Sequence, residues 1–194
     1  MTYSQFHDAT GLVATHIATG YQWVVGVWEC PYGHEDGWEV PAAEVDDAVA
    51  AMFERYDVWR MYADPPYWQS YVAQWQGRYG DERVIAWYTN RRRAMAYSLE
   101  LYQSAIAERS LTHDGHAVLL RHIGNTQRHD LLQRDETGKP LWLIQKERPD
   151  SPQKIDLAMA AVLSWQARTD AVAMGVSDDE APALLVFDLS AADD

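Results

Sequence analysis

β-Branched and aromatic residues crowd two stretches, Asp8 to Ile17 and Tyr21 to Glu29, on either side of Thr19-Gly20, a pattern that predicts two antiparallel strands joined by a tight turn. A loop rich in proline, glycine and acid follows from Pro31 to Gly37, with a short strand expected at Trp38 to Val40. Val45, Val49, Met52 and Phe53 recur at helical spacing between Pro41 and Tyr56, where Pro41 suits the first turn. Val58 to Ala63 is a compact apolar run cut off by Pro65-Pro66, and it reads as a strand because the prolines would break helical bonding. Tyr67 to Tyr79 reads as a helix, Arg83 to Tyr88 as a buried strand and Arg91 to Arg109 as a longer helix, the alternation of a parallel βαβ unit.

His116 to Gly124 reads as a helix, and Gln127 to Arg134 with Leu141 to Glu147 flank the turn residues Asp135-Glu-Thr-Gly-Lys139, giving an extra β-hairpin near 127–147. Ser151-Pro152 is expected to open a helix reaching about Thr169, with serine as the cap and proline in the first turn. From Ser177 the chain is acidic apart from an apolar run, Leu184 to Leu189, which fits either a docked strand or a partner-binding end. The expected fold class is α/β, a mixed sheet flanked by helices, with one domain over 1–176 and an acidic tail over 177–194.

Composition narrows the chemistry. With 194 residues, 47% of them apolar, the chain suits one sizeable core. It has no apolar run of membrane-spanning length, and Met1 to Thr10 lacks the basic and apolar regions of a signal peptide, so a soluble, cytoplasmic protein without membrane contact is expected. Cys30 is the only cysteine, which excludes an internal disulfide and a cysteine-based zinc site. His113, His116, His122 and His129 match no zinc spacing. The net charge of -13 opposes broad attraction to nucleic acid. The bases are concentrated, however: residues 61–150 hold 12 of the 16 lysines and arginines, against 2 in residues 1–60 and 2 in 151–194. A basic strip on an acidic body fits a groove that grips a polyanion; a solvated basic face is the alternative.

Two acids sit where an acid is locally costly. Asp64 ends the strand expected before Pro65-Pro66, and ligands of open α/β sheets gather outside such strand ends. A carboxylate bonding turn amides is the structural alternative. Asp156 is followed at helical spacing by Ala160, Leu163 and Ala167, so it heads an apolar stripe, where a carboxylate needs a partner or a metal; a surface acid favoured by the helix dipole is the alternative. Two carboxylates from different elements can hold Mg²⁺ or Mn²⁺, the ions that serve phosphodiester cleavage, although a third acid is normally wanted. Arg91, Arg92 and Arg93 follow Thr89-Asn90 at a helix start, where cations oppose the dipole, which suggests an anionic partner. Arg121, Arg128, Lys146, Arg148 and Lys154 extend the strip. The nine tryptophans read as core residues in the main, with Trp68 and Trp75, on one helical face, the candidate exceptions that would serve as base-stacking platforms.

Six stretches in order, His7-Asp-Ala-Thr-Gly-Leu-Val-Ala-Thr15, Tyr62-Ala-Asp-Pro-Pro-Tyr-Trp68, Trp87-Tyr-Thr-Asn-Arg91, Leu111-Thr-His-Asp-Gly115, Arg121-His-Ile-Gly-Asn125 and Arg148-Pro-Asp-Ser-Pro-Gln-Lys-Ile-Asp156, resemble the nuclease domain of phage terminase large subunits, the DNA-packaging motors, in the form met in actinobacterial phages and prophages. The resemblance implies an RNase H-like fold and a two-metal endonuclease, using Mg²⁺ or Mn²⁺, that cuts concatemeric double-stranded viral DNA during packaging. It places metal ligands at Asp64 and Asp156, and DNA contacts at Asn90-Arg91 and at His122 and Asn125. It also implies partners: a separate ATPase domain, a portal or a small terminase subunit. Two departures stand out. The family's first catalytic acid lies in a Phe-Asp-Gly-Ser-like first strand, where this chain has Met1-Thr-Tyr-Ser4 and Thr2 takes the acid's place. The chain also has no Gly-x-x-x-x-Gly-Lys-Ser/Thr motif for the ATPase half. The expectation is therefore a nuclease domain truncated in its first strand, with Asp8 as a substitute acid and Asp150 in reserve, although the loop position of Asp150 better suits a structural cap for the helix expected at Ser151, or a DNA-binding or motor-docking module that does not cut. An acidic protein-interaction domain is the third reading.

Overall fold

The computed structural model describes residues 9–31, 37–148 and 151–176, and the backbone of 183–188. The expected hairpin is present: β1 (Thr10–His16) and β2 (Tyr21–Trp28) are antiparallel, joined through Gly20 at φ 69. Next come α1 (Ala42–Arg55), β3 (Met61–Ala63), α2 (Gln69–Tyr79), β4 (Val84–Ala86) and α3 (Arg92–Ala107). β3 and β4 pair in parallel across α2, the expected βαβ unit. Then follow β5 (Thr112–His113), α4 (Ala117–Gly124), the hairpin β6 (Gln127–Arg134) and β7 (Pro140–Gln145), α5 (Asp156–Ala173) and β8 (Ala183–Asp188).

Two expectations change, and one left open is decided. Trp38 to Val40 forms no strand. α5 begins at Asp156 rather than at Ser151, so Ser151 is not its cap and Asp156 stands in its first turn. The apolar run from Leu184, which by sequence fits either a docked strand or a partner-binding end, is the docked strand, inside a main sheet of order β4-β3-β8-β1-β2-β5. β8 lies parallel to β3 and antiparallel to β1, so an element from the far end of the sequence fills the centre of the sheet.

Alternation along the strands explains the layers. On β1, Leu12 and Ala14 enter one apolar cluster and Val13 the other; on β3, Met61 and Ala63 face the first and Tyr62 the second. The first cluster contains Val45, Val49 and Met52 of α1 with Val72 and Trp75 of α2, and the second contains most of α5 with Met95, Leu99 and Tyr102 of α3. Sheet faces buried on both sides are covered by helices, as parallel strand pairs require. Trp68 and Trp75 are fully buried and stacked, with ring centroids 6.1 Å apart, so they are core residues rather than base platforms. The β6–β7 hairpin forms its own two-stranded sheet.

α5 lies close over β1. A Cβ built at Gly11 would come within 2.7 Å of Leu157 Cδ1 and 3.2 Å of Leu157 Cα, so glycine lets the first turn of α5 rest on the strand. A buried polar chain fixes the other side of the contact: Gln22 donates to Thr15 Oγ1 and to the Ala161 carbonyl, and Tyr102 donates to Gln22. Among the described residues no helix is long and apolar enough to cross a membrane.

Candidate functional site

Asp64 follows β3 directly and is 1% exposed. Pro65 ends the strand, and the turn that follows carries Tyr67 at φ 65, a conformation unusual for a residue with a side chain. The carboxylate of Asp64 accepts the Thr89 hydroxyl in a short bond and the Thr89 amide at 3.4 Å. Thr89 reaches it from the segment after β4, which is set beside β3 by the parallel ladder and by Trp87 N–H donating to the Ala63 carbonyl. Burial pushes the Asp64 carboxyl above its ordinary range, and the two Thr89 bonds only partly oppose that shift. A buried acid under this penalty is the kind of group that a cation would stabilise.

Asp156 is 2% exposed at the start of α5. Its position is set from α4. His122, wholly buried, accepts the Leu157 amide at Nδ1 over 3.0 Å, while its Nε2 lies 3.2 Å from Glu29 Oε2. A neutral imidazole with its proton on Nε2 satisfies both contacts. Asn125 donates to the Lys154 carbonyl at 2.9 Å. Of the two residues expected to touch DNA, His122 is therefore enclosed, while Asn125 is half-buried and uses its amide to hold the chain entering α5. Burial raises the Glu29 carboxyl, but bonds from Arg121 and His122 outweigh it and leave Glu29 below its usual range. We expect His122→Ala to cost about 2 to 4 kcal/mol in urea unfolding, since it leaves a buried amide without its acceptor and a cavity beside α5.

The sheet register relates these pieces. Ala63 pairs with Phe187, so residue 188 of β8 comes next to Asp64, and residue 188 pairs in turn with Gly11, beneath the first turn of α5. Asp64 is thus two strand spacings of about 4.8 Å from Gly11, and the residue between them is Asp188. Sequence reasoning misses Asp188 because its run fits a partner-binding end equally well. Asp8, Asp150 and Thr2 lie outside the described residues, and so does the side chain of Asp188. Among the described side chains, no three histidine, cysteine, aspartate or glutamate groups converge to hold a metal.

The basic candidates separate. Arg121 pairs with Glu29 and Arg128 with Asp130, and Arg128 also lies over the Trp142 ring. Lys154 presents its carbonyl to Asn125, and Lys146 and Arg148 follow β7, with Arg148 exposed. Asn90, Arg91, Arg92 and Arg93 are exposed and line an open cleft of about 1030 Å³ together with Arg134 of β6. The cleft begins one residue after Thr89.

No protein-family model matches the chain, and no solved structure matches it. Two bacteriophage proteins are similar to it: the Gene 13 protein of Mycobacterium phage L5, 31% identical over 176 residues, and the Gene 13 protein of Mycobacterium phage D29, 32% identical over 176 residues. In both, the alignment covers 86% of this chain and 28% of the relative. The chain thus spans little more than a quarter of the length of these curated relatives.

Proposed function

We propose that the chain is an RNase H-like nuclease domain of terminase large subunit type, a Mg²⁺- or Mn²⁺-dependent endonuclease that cuts double-stranded phage DNA during packaging. The observation that carries the reading is the register that sets Asp64, Asp188 and the first turn of α5 at one end of the sheet. These acids come from three separate parts of the chain, and an all-oxygen donor set suits Mg²⁺ or Mn²⁺. Asp188 also answers the gap at Thr2: Phe187-Asp188-Leu-Ser190 matches three of the four residues of the family's Phe-Asp-Gly-Ser stretch. On this reading, β8 supplies from the end of the sequence the central strand that the family supplies first.

Asp64, Asp156 and Asp188 would hold the cation, which supplies Lewis-acid activation of water and neutralises charge on the phosphate. The chain's own residues do the positioning. Thr89 orients Asp64, His122 and Asn125 fix the start of α5, and the arginines beyond Thr89 hold the DNA backbone. An ATPase domain, portal or small terminase subunit would act as partner.

A second reading, a DNA-binding or motor-docking module that does not cut, is motivated by Thr2 standing where the family has its first acid and by the absence of the ATPase motif from this sequence. Incubating supercoiled plasmid with Mn²⁺ separates the two. Nicking by the wild type that is lost in Asp64→Ala and Asp156→Ala supports the nuclease; equal activity in all three refutes it, and salt-sensitive binding without nicking supports the second reading.

A further inference from the structure

We infer that the cleft between the start of α3 and the β6–β7 hairpin is a phosphate-binding groove for one strand of duplex DNA, with Arg134 of the hairpin closing it opposite Arg91, Arg92 and Arg93. This rests on the nuclease reading for its choice of polyanion, and it adds the hairpin as the second wall. Four guanidinium groups line one open cleft, and none of the four takes part in an ion pair among the described residues, whereas Arg78, Arg83, Arg121, Arg128 and Lys139 all do. Neutral groups hold three of the cleft arginines instead. Arg91 lies over the Tyr88 ring at 5.3 Å, Arg93 bonds Tyr97 Oη at 3.1 Å, and Arg134 donates to the Gly138 carbonyl at 2.6 Å. Glu136 attracts Arg93 from beyond ion-pairing distance.

Such tethers fix the side chains without cancelling their charge. On a chain of net charge -13, what sets these four arginines apart is that they converge on one cleft and none of them has an ion-pair partner among the described residues. Three of them also crowd the start of α3, whose first turn contains no acid, an arrangement that costs helix stability until an anion arrives. Guanidinium groups match phosphate oxygens in bidentate fashion. The cleft is continuous in sequence with Thr89, so a strand lying in it would pass the Asp64 end of the sheet.

The test is fluorescence anisotropy with a labelled duplex of about 20 base pairs in EDTA, where nothing can be cut, repeated over a range of salt. The double variant Arg91→Ala/Arg134→Ala should bind at least about tenfold more weakly at low salt, with a salt dependence shallower by about 0.9 for each phosphate that is no longer neutralised. Arg78→Ala, which removes an arginine already paired with Asp46, should bind like the wild type. Unchanged affinity and slope in the double variant, or no binding by the wild type, would overturn the assignment. Because no metal is present, a result in favour stands even if the plasmid assay shows no nicking, and a result against stands even if nicking occurs.

Discussion

Asp64→Asn should remove metal-dependent cleavage while making the metal-free protein more stable. The two effects have one cause: the carboxylate is buried, its charge is opposed by desolvation, and only Thr89 donates to it among the described residues. Its folded pKa is raised, so the folded state holds that proton more tightly than the unfolded chain. Stability is therefore full below the unfolded pKa and falls as pH rises through the folded one. Asparagine keeps the acceptor for the Thr89 amide and has no charge to desolvate. The variant should melt higher than the wild type at neutral pH without metal, and the gap should close toward acid. Added Mn²⁺ should raise the melting temperature of the wild type but not of the variant. Cleavage should fall by roughly a thousandfold, because several kcal/mol of charge stabilisation are lost at about 1.36 kcal/mol per decade. Melting curves at two pH values with and without Mn²⁺, beside a nicking assay, check all of these points.

Asp188→Asn should reduce cleavage as severely as Asp64→Asn, and Asp8→Asn should leave it unchanged. The sheet order argues for Asp188: β8 lies between β3 and β1, so residue 188 is flanked by the Asp64 strand on one side and Gly11 on the other. Asp188 ends its strand, and the Asn variant retains the backbone pairing with Gly11. Nicking rates of the two variants under one Mn²⁺ concentration decide the matter. Loss in Asp8→Asn with retention in Asp188→Asn would move the third ligand to the start of the chain.

Much of this is legible in the sequence. The N-terminal hairpin, the βαβ unit and the hairpin near 127–147 each have strong local signals, turn residues between β-rich runs or prolines that end a strand, and the structure contains all three. The same prolines place Asp64 at its strand end. The start of α5 escapes local reading because Ser151-Pro152 makes a good local cap, whereas the helix is fixed by a long-range acceptor, His122, which no local pattern shows. The burial of His122 is hidden for the same reason. β8 is the hardest element: five apolar residues before an aspartate fit many roles, and only pairing with β1 and β3, more than 120 residues earlier, makes the run a central strand. The convergence of Arg134 with Arg91, Arg92 and Arg93 likewise depends on how the hairpin folds back toward α3.

Whether acids from three distant segments form one cation site is tested most directly, and without DNA, by Mn²⁺ titration followed through the loss of the free-ion electron paramagnetic resonance signal. Saturable binding by the wild type is expected, weakened at least about tenfold in each of Asp64→Asn, Asp156→Asn and Asp188→Asn. Equal binding by the wild type and all three variants would contradict the shared site.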